Sequence, residues 1–166
     1  MLRKTYLQEE IYNHFLKKFK SKSLEDIDIE IEEFLKYILL SCYKKSKAFI
    51  PVNKEIDLIW HEFILQTREY KAFCDNLPNN RGFIHHKSLP YDEYKENIID
   101  EEIYREHSWW LGAYKQNFNQ IDTTVIKYWA IPKYLYEYHD WTIEELNEYA
   151  DFIIDKYNIQ KYKFIK

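Results

Sequence analysis

"IDLIWHEFILQTREYKAFCDNLPNNRGFIHH", residues 56–86, holds three of the chain's six histidines and one of its two cysteines. Read as a cluster, it suggests a Cys/His metal or catalytic site. Read as a helix, it separates into two parts. At about 100° per residue, Ile56, Trp60, Phe63, Thr67, Tyr70 and Cys74 fall within roughly 40° of one another. That is an apolar stripe facing a core, with Cys74 at its centre, and a thiol so placed behaves as a small inert hydrophobe. Asp57, His61 and Arg68 fall together on the shoulder of the stripe, at about 100–140° from Ile56. Asp57 and His61 are four residues apart, so their side chains can touch. The spacing predicts one helix from Lys54 to Asn76, with Asn53 as its N-cap. Cys74 would then lie about 20 Å along the axis from His61, outside any site that His61 forms.

The dense turn signal "NLPNNRG" ends that helix, and "FIHHKSLP" is expected to return as extended chain. Extended residues alternate faces, so one of His85 and His86 would join Asp57 and His61, with Trp60 and Arg68 in support. Two imidazoles and a carboxylate are a ligand set for zinc, or for iron with open positions. The competing reading is structural. A helical aspartate accepts a hydrogen bond from a nearby histidine, and a half-buried histidine satisfies a carbonyl, without any metal. Neither HExxH nor CxxC occurs to favour the first reading.

The rest of the chain reads as helices. Leu7, Ile11, Phe15 and Phe19 are helically spaced within residues 5–20, and Ile31, Phe34, Leu35, Ile38, Leu39 and Cys42 within 28–45. Residues 91–118 form a long helix or a pair, residues 119–141 look irregular, and Thr142 with Glu145 forms a capping-box pattern before a last helix to Tyr157. Only 2 glycines and 4 prolines are present in 166 residues, too few turns for an all-β architecture. The expected fold is all-α: a compact single-domain bundle of five or six helices with irregular connections, spanning residues 1–166.

Composition narrows the partners. Net charge is −4, and lysines and acids are interspersed without a basic stripe, which argues against nucleic acid. No apolar run approaches the ~18 residues of a membrane span. "MLRKTYLQEE" has no apolar h-region, so the expected location is cytoplasmic. In "DEEIYREHSWW" the adjacent Glu106 and His107 point about 100° apart, unlike the Glu-x-x-His pairs of di-iron bundles, and a solvated face is expected. His14 and His139 carry no argument. No nucleophile elbow or phosphate loop is present. The 16 tyrosines and 5 tryptophans, several in "KYLYEYHDW", suit an interface.

The segment "VNKEIDLIWHEFILQTREYKAFCDNLPNNRGFIHHKSLP" resembles the core motif of bacterial glycine-rich domain-containing protein-like proteins, relatives of the amino-terminal helical domain of plant glycine-rich domain proteins. The matching residues are Ile56, Asp57, Trp60, His61, Phe63, Leu65, Tyr70, Cys74, Gly82, His85 and His86, with an echo in "WWLGAYKQNF". This chain inserts "NLPNN" before Gly82 and shows no glycine-rich stretch. The resemblance implies a helical domain and no particular chemistry. Two functional readings follow. The first is a soluble protein–protein interaction or accessory module whose partner is another protein. The second is a small metal-binding protein or metal-dependent enzyme using zinc or iron on Asp57, His61 and His85 or His86.

Overall fold

The computed structural model of the chain describes residues 2–44, 52–86 and 100–164, with side chains of 100–104 left aside. The described residues form α-helices and two short 3-10 turns, with no β-strand, so the all-α class holds. The helices are α1 (Arg3–Tyr6), α2 (Glu9–Lys18), α3 (Leu24–Ser41), α4 (Lys54–Ile64), α5 (Thr67–Asp75), α6 (Asp100–Asn117), α7 (Ala130–Tyr138) and α8 (Ile143–Tyr157). Eight among the described residues exceeds the five or six expected. The expected connection at Pro51, the residues after Lys87 and the start of the 91–118 helix lie outside the described residues. The chain packs as two compact units, one of residues 1–45, 52–84 and 163–166, the other of 46–51 and 85–162.

In the first unit, α3 is the central element. Ser23 caps it by accepting from the Asp26 amide at 3.0 Å. Its apolar face buries Ile31, Phe34, Leu35, Ile38 and Leu39 completely, as the 3.6-residue spacing dictates. Two of its glutamates are also buried, and each is held by a lysine: Glu30 by Lys22 at 2.6 Å and Glu33 by Lys36 at 2.6 Å. A third, Glu32, accepts from the backbone amides of Leu2 and Arg3, both at 2.9 Å. That anionic cap fixes α1 as a separate turn, with Leu7 and Gln8 extended before α2, so the single expected helix over 5–20 is two.

The larger departure is at Leu65–Gln66. The expected helix over 54–76 breaks there, because Gln66 leaves helical dihedrals (φ −86°, ψ 64°). In an unbroken helix Trp60 and Tyr70 would stand about 15 Å apart along the axis. Instead Trp60 Nε1 donates to the Tyr70 hydroxyl at 2.9 Å. Folding α5 back lets Tyr70 and Phe73 meet Phe63 at ring separations of 5.2 and 5.1 Å, while Phe63 also meets Phe15 and Phe34 edge-on. Each such pair adds about 0.5–1.5 kcal/mol beyond area burial. Leu65 and Gln66 are both good helix formers, so the aromatic cluster, and no local breaker, decides the break. Thr67, expected on the buried stripe, is exposed as a consequence.

In the second unit, α6 and α8 pack along their length. The capping box is as its sequence predicts: the Glu145 amide donates to Thr142 Oγ1 at 3.1 Å, and the Thr142 amide to Glu145 at 2.8 Å. Buried Asn147 pins the irregular segment before α7, accepting from the Ile121 amide at 3.0 Å and donating to its carbonyl at 2.8 Å. His107 and Ser108 are buried, so the face expected to be solvated points partly inward. Gly112 lies where α6 packs tightly against Ile153 of α8. A Cβ there would sit 2.7 Å from Ile153 Cγ2 and 3.0 Å from Ile159 Cδ1. Glycine normally costs a helix about 1 kcal/mol relative to alanine. Here the sign is expected to reverse: Gly112→Ala lowers stability by about 1–3 kcal/mol through overpacking, measured by urea denaturation. Stabilisation by the substitution would refute the tight contact.

Candidate metal centre

Helix α4 sets the first two residues of the site. It turns Ile56, Ile59, Trp60 and Phe63 into the core and leaves Asp57 and His61 on the shoulder, their side chains 32% and 46% exposed. His61 Nδ1 lies 3.0 Å from the Asp57 carbonyl oxygen and 3.2 Å from Asp57 Oδ2. Both oxygens accept, so Nδ1 carries the proton and the ring's lone pair is on Nε2.

The turn after α5 leads to the other two histidines of the segment. Asn79, Asn80 and Gly82 all take left-handed dihedrals, with φ of 58°, 50° and 68°. Asparagine and glycine are the residues that tolerate this region, which is why "NLPNNRG" reads as a turn. The chain then runs extended, and the Tyr70 hydroxyl donates to the Ile84 carbonyl at 2.7 Å while accepting from Trp60. Burial pushes the Tyr70 hydroxyl well up from its ordinary value, so it stays protonated and keeps donating. Ile84 is the last residue of the first unit in this stretch. Beyond it His85 is exposed and His86 half-buried, as the alternation of an extended chain gives.

Other sequence candidates are placed apart from the Asp57–His61 pair. His85 and His86 begin the second unit. Arg68 lies beyond the helix break, 89% exposed, with its guanidinium on Glu69 at 2.9 Å. Trp60 donates to Tyr70, which in turn holds Ile84. Cys74 stays buried even though the helix breaks. Burial raises its thiol pKa and pushes that of Cys42 up to about 12, so both stay protonated and unreactive.

Sequence reading missed the other side of α4. Buried Glu62 takes His14 Nε2 at 2.8 Å and Lys18 Nζ at 2.9 Å. The clue was the i, i+4 spacing of His14 and Lys18 on α2. Burial opposes ionisation of Glu62, but the bonds from Lys18 and His14 outweigh it and hold its carboxyl below the ordinary 4.5. A carboxylate depressed on folding stabilises above its unfolded pKa and loses that contribution as pH falls through the folded value.

These residues define an all-α protein with an Asp57–His61 pair on the shoulder of one helix. The chain belongs to the UCP032817-like family, whose model matches residues 1–128 and so includes the pair and both histidines that follow Ile84. No curated protein and no solved structure matches the chain. Among the described residues no helix is long and apolar enough to cross a membrane.

Two predictions follow from this geometry. Tyr70→Phe leaves the Ile84 carbonyl and the Trp60 N–H without their buried partner and is expected to cost about 1–3 kcal/mol in urea unfolding; an unchanged midpoint would show that the relay contributes nothing. Glu62→Gln is expected to destabilise the protein at neutral pH, with the gap from wild type closing as pH falls below the ordinary 4.5 and through the depressed folded value. A pH-independent gap would assign the loss to packing alone.

Proposed function

We propose that the protein binds one divalent first-row metal ion, zinc or iron, through Asp57, His61 and His86. The observation that carries this reading is the Asp57–His61 pair on the shoulder of α4, with His86 two residues beyond the Ile84 carbonyl that Tyr70 holds. Metal–ligand bonds of ~2.0–2.2 Å bring ligand atoms to ~3–3.4 Å from one another, which side-chain rotation on α4 and on a short extended segment can supply. Zinc suits a three-ligand site with an open position for water; iron suits two histidines and a carboxylate with open positions. Asp57 and His61 are partly exposed, so such a position would face solvent and could take an exogenous ligand. This reading favours a metal-dependent enzyme over a closed structural site, whose zinc is normally held by four protein ligands.

The eleven residues shared with the glycine-rich domain-containing protein-like motif support a relationship to that group as part of the same proposal. A second reading, a protein–protein interaction module, is supported by the tyrosines of α7: Tyr134 and Tyr136 are exposed and Tyr138 is 72% exposed. The free, buried state of both cysteines fits a cytoplasmic location.

Equilibrium dialysis of untagged protein against zinc and against cobalt(II) tests the metal reading. One ion per chain is expected, with affinity falling on acidification as protons compete for the imidazoles. His61→Ala should lower affinity by at least about 100-fold, beyond the usual effect of residues outside the ligand set. Retention of the ion by this variant, or no ion on the wild type, would overturn the proposal.

A further inference from the structure

A cleft of about 360 Å³ lies inside the first unit, away from Asp57 and His61. Its size falls within the ~300–1,000 Å³ of small-molecule sites. One wall is α5, which presents Glu69, Ala72, Phe73 and Asn76, the i, i+3, i+4, i+7 face of a helix. The other wall is the extended link between α1 and α2, with Thr5, Leu7 and Gln8, and the first turns of α2 at Ile11. Phe63 and Phe73 line its base, and Phe164 comes in from the chain's last described residues. Ala72 is what keeps it open, because a larger side chain at the centre of the α5 face would fill it.

The lining has one formal charge and it is negative. Among the described residues no lysine, arginine or histidine lines the cleft. Glu69 accepts from the exposed Arg68 through Oε1 and from its own backbone amide, and a carboxylate has about four acceptor sites, so acceptor capacity remains. Asn76 Nδ2 is committed to the Ala72 carbonyl at 2.9 Å, which leaves its Oδ1 as an acceptor. The walls thus offer acceptors over an apolar base. The Arg68 pair is with an 89% exposed side chain and so is readily exchanged for a donor on a ligand, which a neutral apolar molecule lacks; an anion would face the carboxylate directly.

We propose that this cleft binds a small primary amine: an ammonium head received by Glu69 and an apolar body resting on Phe63 and Phe73, toward the Asn76 end two turns away. The ammonium's N–H donors match the carboxylate, and the apolar body accounts for the aromatic base. None of these side chains belongs to the Asp57, His61, His86 group, so success or failure here is independent of the metal reading.

The test is amide NMR of the full chain titrated with phenethylamine, against phenylethanol and phenylpropionate as neutral and anionic counterparts. Saturable shifts at Gln8, Ala72 and Asn76 are expected with the amine. Binding should be at least about tenfold weaker for the alcohol, for the acid, and for the amine with Glu69→Gln. Ala72→Leu, which fills the cleft while keeping a good helix former, should abolish the shifts. Equal binding of alcohol and amine, no saturation with millimolar amine, or undiminished binding to Glu69→Gln would overturn the proposal. Glu69→Gln removes the charge of a half-buried side chain at nearly unchanged volume, so it reports even where Ala72→Leu disturbs packing.

Discussion

The hydrogen-bond relay from Trp60 through Tyr70 to the Ile84 carbonyl is the constraint on which the first unit depends. It joins α4, α5 and the returning chain at one buried hydroxyl. Without it, nothing local would keep α5 folded back on α4, since Leu65 and Gln66 both favour continued helix. The relay is also costly to disrupt, because a buried donor and a buried acceptor would lose their partner together. Phe63, Tyr70 and Phe73 supply the apolar contact that makes folding back favourable; the hydroxyl gives it a unique register.

The same relay links the core to the surface chemistry. Asp57 and His61 are set by helical geometry alone, four residues apart on one shoulder. His86 is set by tertiary structure: the left-handed turn at Asn79, Asn80 and Gly82 reverses the chain, and the Ile84 carbonyl is tied to Tyr70 two residues before the imidazole. Under the metal proposal, a rigid helix and a tethered extended segment would close on an ion by small rotations. Glu62, next in sequence to His61, faces the opposite way and secures α4 to α2 through His14 and Lys18. Adjacent residues on one helix therefore face opposite sides, one locked to α2 and one on the exposed shoulder.

What the sequence makes legible is what depends on neighbours within a turn or two. The apolar face of α3, the capping box at Thr142 and Glu145, the turn at "NLPNNRG", the burial of Cys74 and the Asp57–His61 contact all follow from spacing. What it hides depends on distant partners. The break at Leu65–Gln66 has no glycine or proline to announce it, and it moves Thr67 and Arg68 off the faces that an unbroken wheel assigns them. The separation of α1 from α2 depends on Glu32, some thirty residues away. His107 is buried where neighbouring acids suggest a solvated face. Which of His85 and His86 would join Asp57 and His61 is not legible from spacing, because alternation only sets the two on opposite faces.

That choice is also where the account can be tested most directly. Long-range nitrogen–proton spectra of the imidazole rings, recorded as one equivalent of zinc is added, report coordination ring by ring. The account predicts that His61 and His86 shift together and reach their end point at one equivalent, while His85 stays where it was. Coordination by His85 in place of His86, or no coordination shift on His61, would contradict it.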